Sequence, residues 1–215
     1  MIDLLYNHSS NVYSANGEDG INEYILKHLE LDSGVVLEIG AWDGFFDSNC
    51  ANLWSNGSYN GILIEATSKL NIADLESRYD NINCYRELIS SSNTLEDVID
   101  KCKFDVDEDN FVLASIDVDG DDLNVARSLG KYKPIILIVE PNGDVVTRSN
   151  SNGSTIKELI DFGVDFGYDF MGMSGHVGRH SGNVYLIRND YRDKFDICSK
   201  PWQHRGIILS EGVLY

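Results

Sequence analysis

The chain has 215 residues, enough for one domain with a real core, and 42% of them are apolar and 10% aromatic, which excludes a disordered chain. Its 17 basic and 35 acidic residues leave a net charge of −18, a field that repels phosphate backbones and anionic membrane surfaces. A small neutral or cationic molecule suits that charge better than nucleic acid or a membrane, although the same acidity also serves plain solubility.

Strand and helix patterns alternate along the chain, which predicts βαβ units and a mainly parallel sheet. A first helix is expected over about 18–30, because Ile21, Tyr24, Ile25, His28 and Leu29 recur at helical spacing and Glu18 and Asp19 stand in the first turn. The run Val35-Val36-Leu37-Glu38-Ile39 then reads as a buried parallel strand, ending in the glycine turn Gly40-Ala41-Trp42-Asp43-Gly44. A helix carrying Leu53 and Trp54 should stop near Gly57, and Gly61-Ile62-Leu63-Ile64-Glu65 is a second strand tipped by an acid. The next helix is expected over about 67–79, with Leu70, Leu75 and Tyr79 inward, and a third strand over about 82–86. Asn93 with Glu96 reads as a capping-box variant opening a helix whose apolar face is Leu95, Val98, Ile99 and Cys102.

After the acidic loop Asp105 to Asn110, strand four is Phe111 to Ile116 and reaches Asp117. A helix from about Asp121 to Gly130 leads to strand five, Ile135 to Val139, which ends at Glu140. A helix near 154–162 and β runs over about 166–172 and 183–188 complete the pattern. The glycine-rich segment from Ser174 to Gly182 is too short for a helical crossover, so those last two strands should be antiparallel. The expected architecture is a Rossmann-like α/β sheet of seven strands, five parallel plus a C-terminal antiparallel hairpin, with helices on both faces. One domain is expected to span 1–215, with residues 1–30 a helical lead-in and 189–215 a C-terminal extension.

Two acid-tipped strands, the first followed by a glycine turn, are how such a sheet holds a nucleoside, the second acid accepting from ribose hydroxyls. A dinucleotide fold carries G-x-G-x-x-G for its pyrophosphate. Here the spacing is E-x-G-x-x-x-G, with Trp42 and Asp43 where a phosphate loop wants small residues.

Several stretches together resemble one family. Ser14-x-x-Gly17-Glu18-Asp19-Gly20 precedes the first helix; Glu38-Ile39-Gly40-Ala41-x-Asp43-Gly44 is followed by Ser48-Asn49 and Gly61-x-Leu63-Ile64-Glu65; and Ser115-Ile116-Asp117-Val118-Asp119-Gly120 ends strand four. Over roughly residues 14–188 the chain looks like the FkbM-like branch of class I methyltransferases, from which it departs at Trp42-Asp43 and Pro141-Asn142. The resemblance implies S-adenosylmethionine as cofactor and transfer of its methyl group, most simply to a hydroxyl of a small or sugar-like acceptor. It further implies that Glu38 and the turn Gly40, Ala41, Trp42, Asp43 and Gly44 hold the methionine end, that Glu65 takes the ribose, and that Glu87 lies in the adenine region. Ser48 and Asn49 either reach the cofactor carboxylate or cap a helix.

The base is open between Asp117, His176 and His180; the histidines equally suit an exposed glycine-rich loop. The acids after strands four and five also suit a hard divalent cation such as Mg, with Asp117, Asp119, Glu140 and Asn142 as oxygen ligands, or else Asp119 merely turns the chain. Tyr13, Trp42 and Trp202 read either as pocket walls or as core. A non-catalytic cofactor-binding module and a nucleotide-dependent oxidoreductase are the alternatives to an enzyme of this class.

Cys50, Cys84, Cys102 and Cys198 lack metal spacing and read as reduced, inert thiols. No apolar run approaches the roughly 18 residues of a membrane span, and the N-terminus has no secretory pattern, so a cytoplasmic protein is expected. The oligomeric state is open.

Overall fold

A computed structural model of the protein describes residues 5–143, 147, 151–175 and 182–195. Within them, strands β1 (Gly34–Ile39), β2 (Tyr59–Ile64), β3 (Ile82–Tyr85), β4 (Phe111–Ile116), β5 (Ile136–Val139), β6 (Tyr168–Met173) and β7 (Val184–Arg188) form one sheet ordered β3-β2-β1-β4-β5-β7-β6. The first five pair in parallel, and β7 runs antiparallel between β5 and β6. This is the seven-stranded arrangement that the alternation of elements and the short β6–β7 linker predict. No helix among the described residues is long and apolar enough to cross a membrane.

The strands are buried on both faces because helices cover both. Helices α1 (Glu18–His28), α2 (Ala51–Trp54) and α3 (Ile72–Arg78) lie on one side, and α4 (Leu95–Ile99), α5 (Asp122–Arg127) and α6 (Ile156–Phe166) on the other. Side chains alternate along a strand, so β1 sends Val35, Leu37 and Ile39 toward α4–α6 and Val36 toward α1–α3. Glu38 is therefore committed to the α1–α3 side, beneath the glycine turn. Trp54 fills that layer, fully enclosed, its ring 5.1 Å from those of Phe45 and Tyr79.

Strand positions match the sequence expectation to within about two residues. The helices differ more. The helix expected from residue 67 begins at Ile72, because the Thr67 amide is held by Glu65 and Asn71 supplies the cap to the Asp74 amide. The α4 capping box is Thr94 with Asp97, one residue beyond the expected Asn93 and Glu96; Asn93 instead donates to Glu87 and to the Leu88 carbonyl. Helix α6 continues to Phe166 and stops at Gly167, whose φ of 96° is the left-handed cap. Of the C-terminal extension, Asn189–Lys194 forms a 3₁₀ helix, and the Lys194 carbonyl meets His28 of α1. The 176–181 loop, Cys198 and Trp202 lie outside the described residues. Cys50 and Cys84 are buried and Cys102 half-buried, all as free thiols.

Trp54→Ala leaves a large cavity between α2, α3 and β2, and should cost about 3–5 kcal/mol. Urea unfolding of the variant against wild type measures it.

Candidate functional site

The chain passes from β1 to β2 on one side of the sheet and from β3 to β4 on the other. The crevice outside the carboxyl ends of β1 and β4 is therefore the switch point at which such sheets bind ligands. The turn after β1 is built tightly into it. The Gly40 and Ala41 amides both donate to the Ile64 carbonyl at 3.0 and 3.1 Å, which lashes the turn to the end of β2. On the other side a Cβ on Gly40 would lie 1.7 Å from the Asp117 carbonyl oxygen, and φ is +80°, so only glycine fits. Gly44 closes the turn onto the Ala41 carbonyl at 2.6 Å, also with positive φ, at 94°. Asp43 is exposed, and its carboxylate accepts from the Phe45 and Phe46 amides.

Glu38 sits under this turn, 4% exposed. Ser48 Oγ donates to one of its oxygens and the Asn49 amide to the other at 2.6 Å. Ser48 Oγ also accepts from the Ala51 amide at the start of α2, while Asn49 reaches Ser115 on β4 and receives Asn22 from α1. Both Ser48 and Asn49 are thus engaged within the fold, with Ser48 Oγ reaching the first turn of α2. Burial pushes the Glu38 carboxyl up to about 7 against the lowering effect of its hydrogen bonds, and the nearby Asp19 charge adds to the rise.

Asp19, legible as a helix-dipole residue and as part of the Ser14–Gly20 motif, also organises the segment before α1. One of its oxygens gathers the Val12, Tyr13 and Ser14 amides and the Ser14 hydroxyl, all at 2.7–2.9 Å. The other is buried with no hydrogen-bond partner. Glu18 binds the Asn16 amide, Ser174 and Asn183, so this acidic pair ties the segment before α1 to β6 and β7. Tyr13 packs on Phe45, between that segment and the glycine turn.

Glu65, 6% exposed, is braced by the Trp42 amide on one oxygen at 3.0 Å and the Thr67 amide on the other at 2.7 Å. A carboxylate has about four lone-pair sites, so each oxygen can accept one further hydrogen bond. Glu87 follows β3 and holds Asn93 at 2.9 Å, on the outer flank of the same sheet edge.

Beyond β4 and β5, the carboxylates of Asp117, Asp122 and Glu140 bring oxygens within 4.8 Å of one another. Asp117 and Glu140 face one another closely enough for their carboxyls to share a hydrogen bond when one of them is protonated. Burial, with the facing Glu140 and Asp122 next in weight, holds Asp117 well above the carboxylate range; burial and Asp122 also raise Glu140. The expected metal set is only partly assembled. Asp119 is exposed in a left-handed turn with φ of 57°, and Asp122 takes its place in the cluster. Asp122 in turn accepts from the Val118 and Gly120 amides, and Asn142 presents its NH₂ to Glu140 at 2.7 Å rather than an oxygen. His176 and His180 lie outside the described residues.

No protein-family model matches the chain, and no curated protein sequence matches it. Solved structures do. Methyltransferase FkbM from Methylobacillus flagellatus KT superimposes with a TM-score of 0.50 at 15% identity, over 85% of this chain and 57% of that one. The CurJ carbon methyltransferase does so with a TM-score of 0.51 at 10% identity, over 86% of this chain and 57% of that one. The chain thus spans a little over half the length of either. Its fold is the class I S-adenosylmethionine-dependent methyltransferase fold, as the strand order requires.

Two outcomes follow from the turn and the acid beneath it. Gly40→Ala drives a methyl into the Asp117 carbonyl and should destabilise the fold by more than about 2 kcal/mol in urea unfolding. Glu38 binds its proton more tightly folded than unfolded, so its contribution is greatest below about pH 4.5 and is lost as pH rises to about 7. Urea titrations at pH 5 and pH 8 should show that loss in wild type, up to about 3 kcal/mol, and a smaller one in Glu38→Gln.

Proposed function

We propose that the chain is an S-adenosylmethionine-dependent methyltransferase acting on a hydroxyl of a small, uncharged or cationic acceptor, sugar-like in character. The observation that carries this reading is Glu65, a buried carboxylate at the switch point, fixed by two backbone amides and retaining acceptor capacity on both oxygens. That is the recognition chemistry of a ribose diol. The donor set around it fits this cofactor better than a dinucleotide. The turn offers Trp42, Asp43 and two glycines four residues apart, with Glu38 beneath it and Glu65 beside it, where a pyrophosphate needs free amides and small residues. An ammonium or sulfonium group suits an acidic rim. The similar structures are themselves a methyltransferase and a carbon methyltransferase, which supports the class and leaves the accepting atom to the site.

In this reading Glu65 holds the ribose, the turn from Gly40 to Gly44 lies along the methionine end with Glu38 fixing its shape from below, and Glu87 flanks the base. When bound, the cofactor supplies a methyl group on a positively charged sulfur, activated for in-line displacement. Asp117 and Glu140 stand across the turn from Glu65 and supply the proton acceptor. Asp117 and Glu140 would hold an acceptor hydroxyl beside that methyl group. The hydroxyl proton passes to the Asp117–Glu140 pair. A divalent cation between Asp117, Asp122 and Glu140 is the second reading, favoured by the closeness of the three carboxylates. It would need to displace the shared proton, and would lower the hydroxyl pKa in place of a base.

Calorimetric titration with S-adenosylhomocysteine is expected to show micromolar binding to wild type, weakened at least tenfold in Glu65→Ala, with NAD not binding. Absence of S-adenosylhomocysteine binding to well-folded wild type sinks the assignment. Once an acceptor is found by screening hydroxyl compounds, turnover should rise with pH as the Asp117–Glu140 pair loses its proton, because only then is the strong base free. Asp117→Asn should lower kcat by roughly 10²-fold or more and remove that rise. A rate restored by added magnesium in wild type, and lost in Asp117→Asn, would favour the cation instead.

A further inference from the structure

Trp42 is the odd residue of the turn. It is neither glycine nor asparagine, yet its φ is +48°, a region in which a bulky side chain is an outlier. Its ring is not buried to compensate; the residue is 43% exposed. The strained backbone has one visible result, which is that the Trp42 amide points into Glu65. The ring is held as well. The Lys69 ammonium lies over it, 4.7 Å from the centroid. Lys69 belongs to the loop that leaves Glu65, its own amide bonded to Thr67 Oγ1, and Leu70 beside it is fully buried. A strained, solvent-facing aromatic tied by backbone to one carboxylate and backed by a lysine from the loop after that carboxylate is an arrangement that folding alone does not require.

We infer that Trp42, backed by Lys69, is an aromatic shelf that stacks on the nucleoside whose ribose Glu65 holds. The inference rests on the cofactor reading above and adds to it a side chain that recognises the flat, apolar part of the ligand. The chemistry is specific. A carboxylate takes the vicinal hydroxyls of a nucleoside but cannot grip its base, and an indole face beside that carboxylate can. Lys69 on one side of the ring fixes its orientation and leaves the solvent-facing part for the ligand, so Lys69 is a positioning residue. It also sets a positive charge beside Trp42, close to Arg86, whose guanidinium donates to the Leu70 carbonyl.

The test uses the full chain and S-adenosylhomocysteine as probe. Trp42→Gly removes the ring while keeping a residue at home with positive φ, Trp42→Phe keeps a flat ring, and Lys69→Met removes the cation. Calorimetry should show Trp42→Gly binding roughly tenfold to a hundredfold more weakly than wild type, Trp42→Phe within a few-fold, and Lys69→Met between them. The chain has three tryptophans, and the fluorescence change on binding should be large in wild type and nearly absent in Trp42→Phe. A loss of less than about threefold in Trp42→Gly, or a fluorescence change that survives in Trp42→Phe, overturns the shelf while leaving the cofactor assignment standing. No binding to wild type removes both. Circular dichroism confirms folding of each variant; should Trp42→Gly not fold, the fluorescence of Trp42→Phe decides.

Discussion

The site depends on one close approach, that of the Gly40 backbone to the carbonyl of Asp117 where β1 and β4 end side by side. No side chain fits between them, so the chain leaving β1 must turn at once, with positive φ, across the top of the sheet. Everything around the crevice follows from that turn. It sends the Gly40 and Ala41 amides to β2 and the Trp42 amide to Glu65. It roofs Glu38, so that Glu38 must find its partners in Ser48 and Asn49. Because those two also start α2 and bridge to β4, the carboxylate beneath the turn joins three elements of the fold.

So many enclosed carboxylates in a chain of charge −18 need an account. An ionised acid out of water is costly unless hydrogen bonds or an opposite charge compensate. Here backbone amides do most of this. Asp19 collects three, Glu65 two and Asp122 two. Buried basic side chains are scarce, and the clearest, Arg188, is engaged with Asp190 and with the Glu108 and Lys133 carbonyls. Most of the enclosed acids are therefore held on backbone amides rather than on basic side chains.

The frame was plain in the sequence because its cause is local. Apolar runs of strand length, most of the parallel ones ended by an acid or glycine, leave one reading, and the short segment before β7 forces the antiparallel pair. The helix starts were less plain. Asn93 and Thr94 are both good caps, each with an acid three residues on, and only the pull of Glu87 on Asn93 selects Thr94. Which of Asp119, Asp121 and Asp122 joins Asp117 was hidden for a similar reason. Asp119 and Asp122 are equivalent in pattern; the left-handed conformation at Asp119 carries it into solvent, and the first turn of α5 carries Asp122 inward. Lys69 gave no signal, because a lysine over an indole is a meeting of two loops that no spacing rule reports.

Glu38 and Asp117 are both carboxyls raised first by burial, yet the shift has a different meaning in each. Both Glu38 oxygens are engaged by Ser48 and Asn49, and the group is buried beneath the turn. Its titration belongs to stability. Asp117 is half-buried at the end of β4, and its partner is another carboxyl rather than a donor, so the proton between it and Glu140 is held by a pair that neither closes over nor neutralises. Of two acids with the same direction of shift, one faces a second acid at the edge of the sheet, and the enclosed one holds the turn that shapes the crevice.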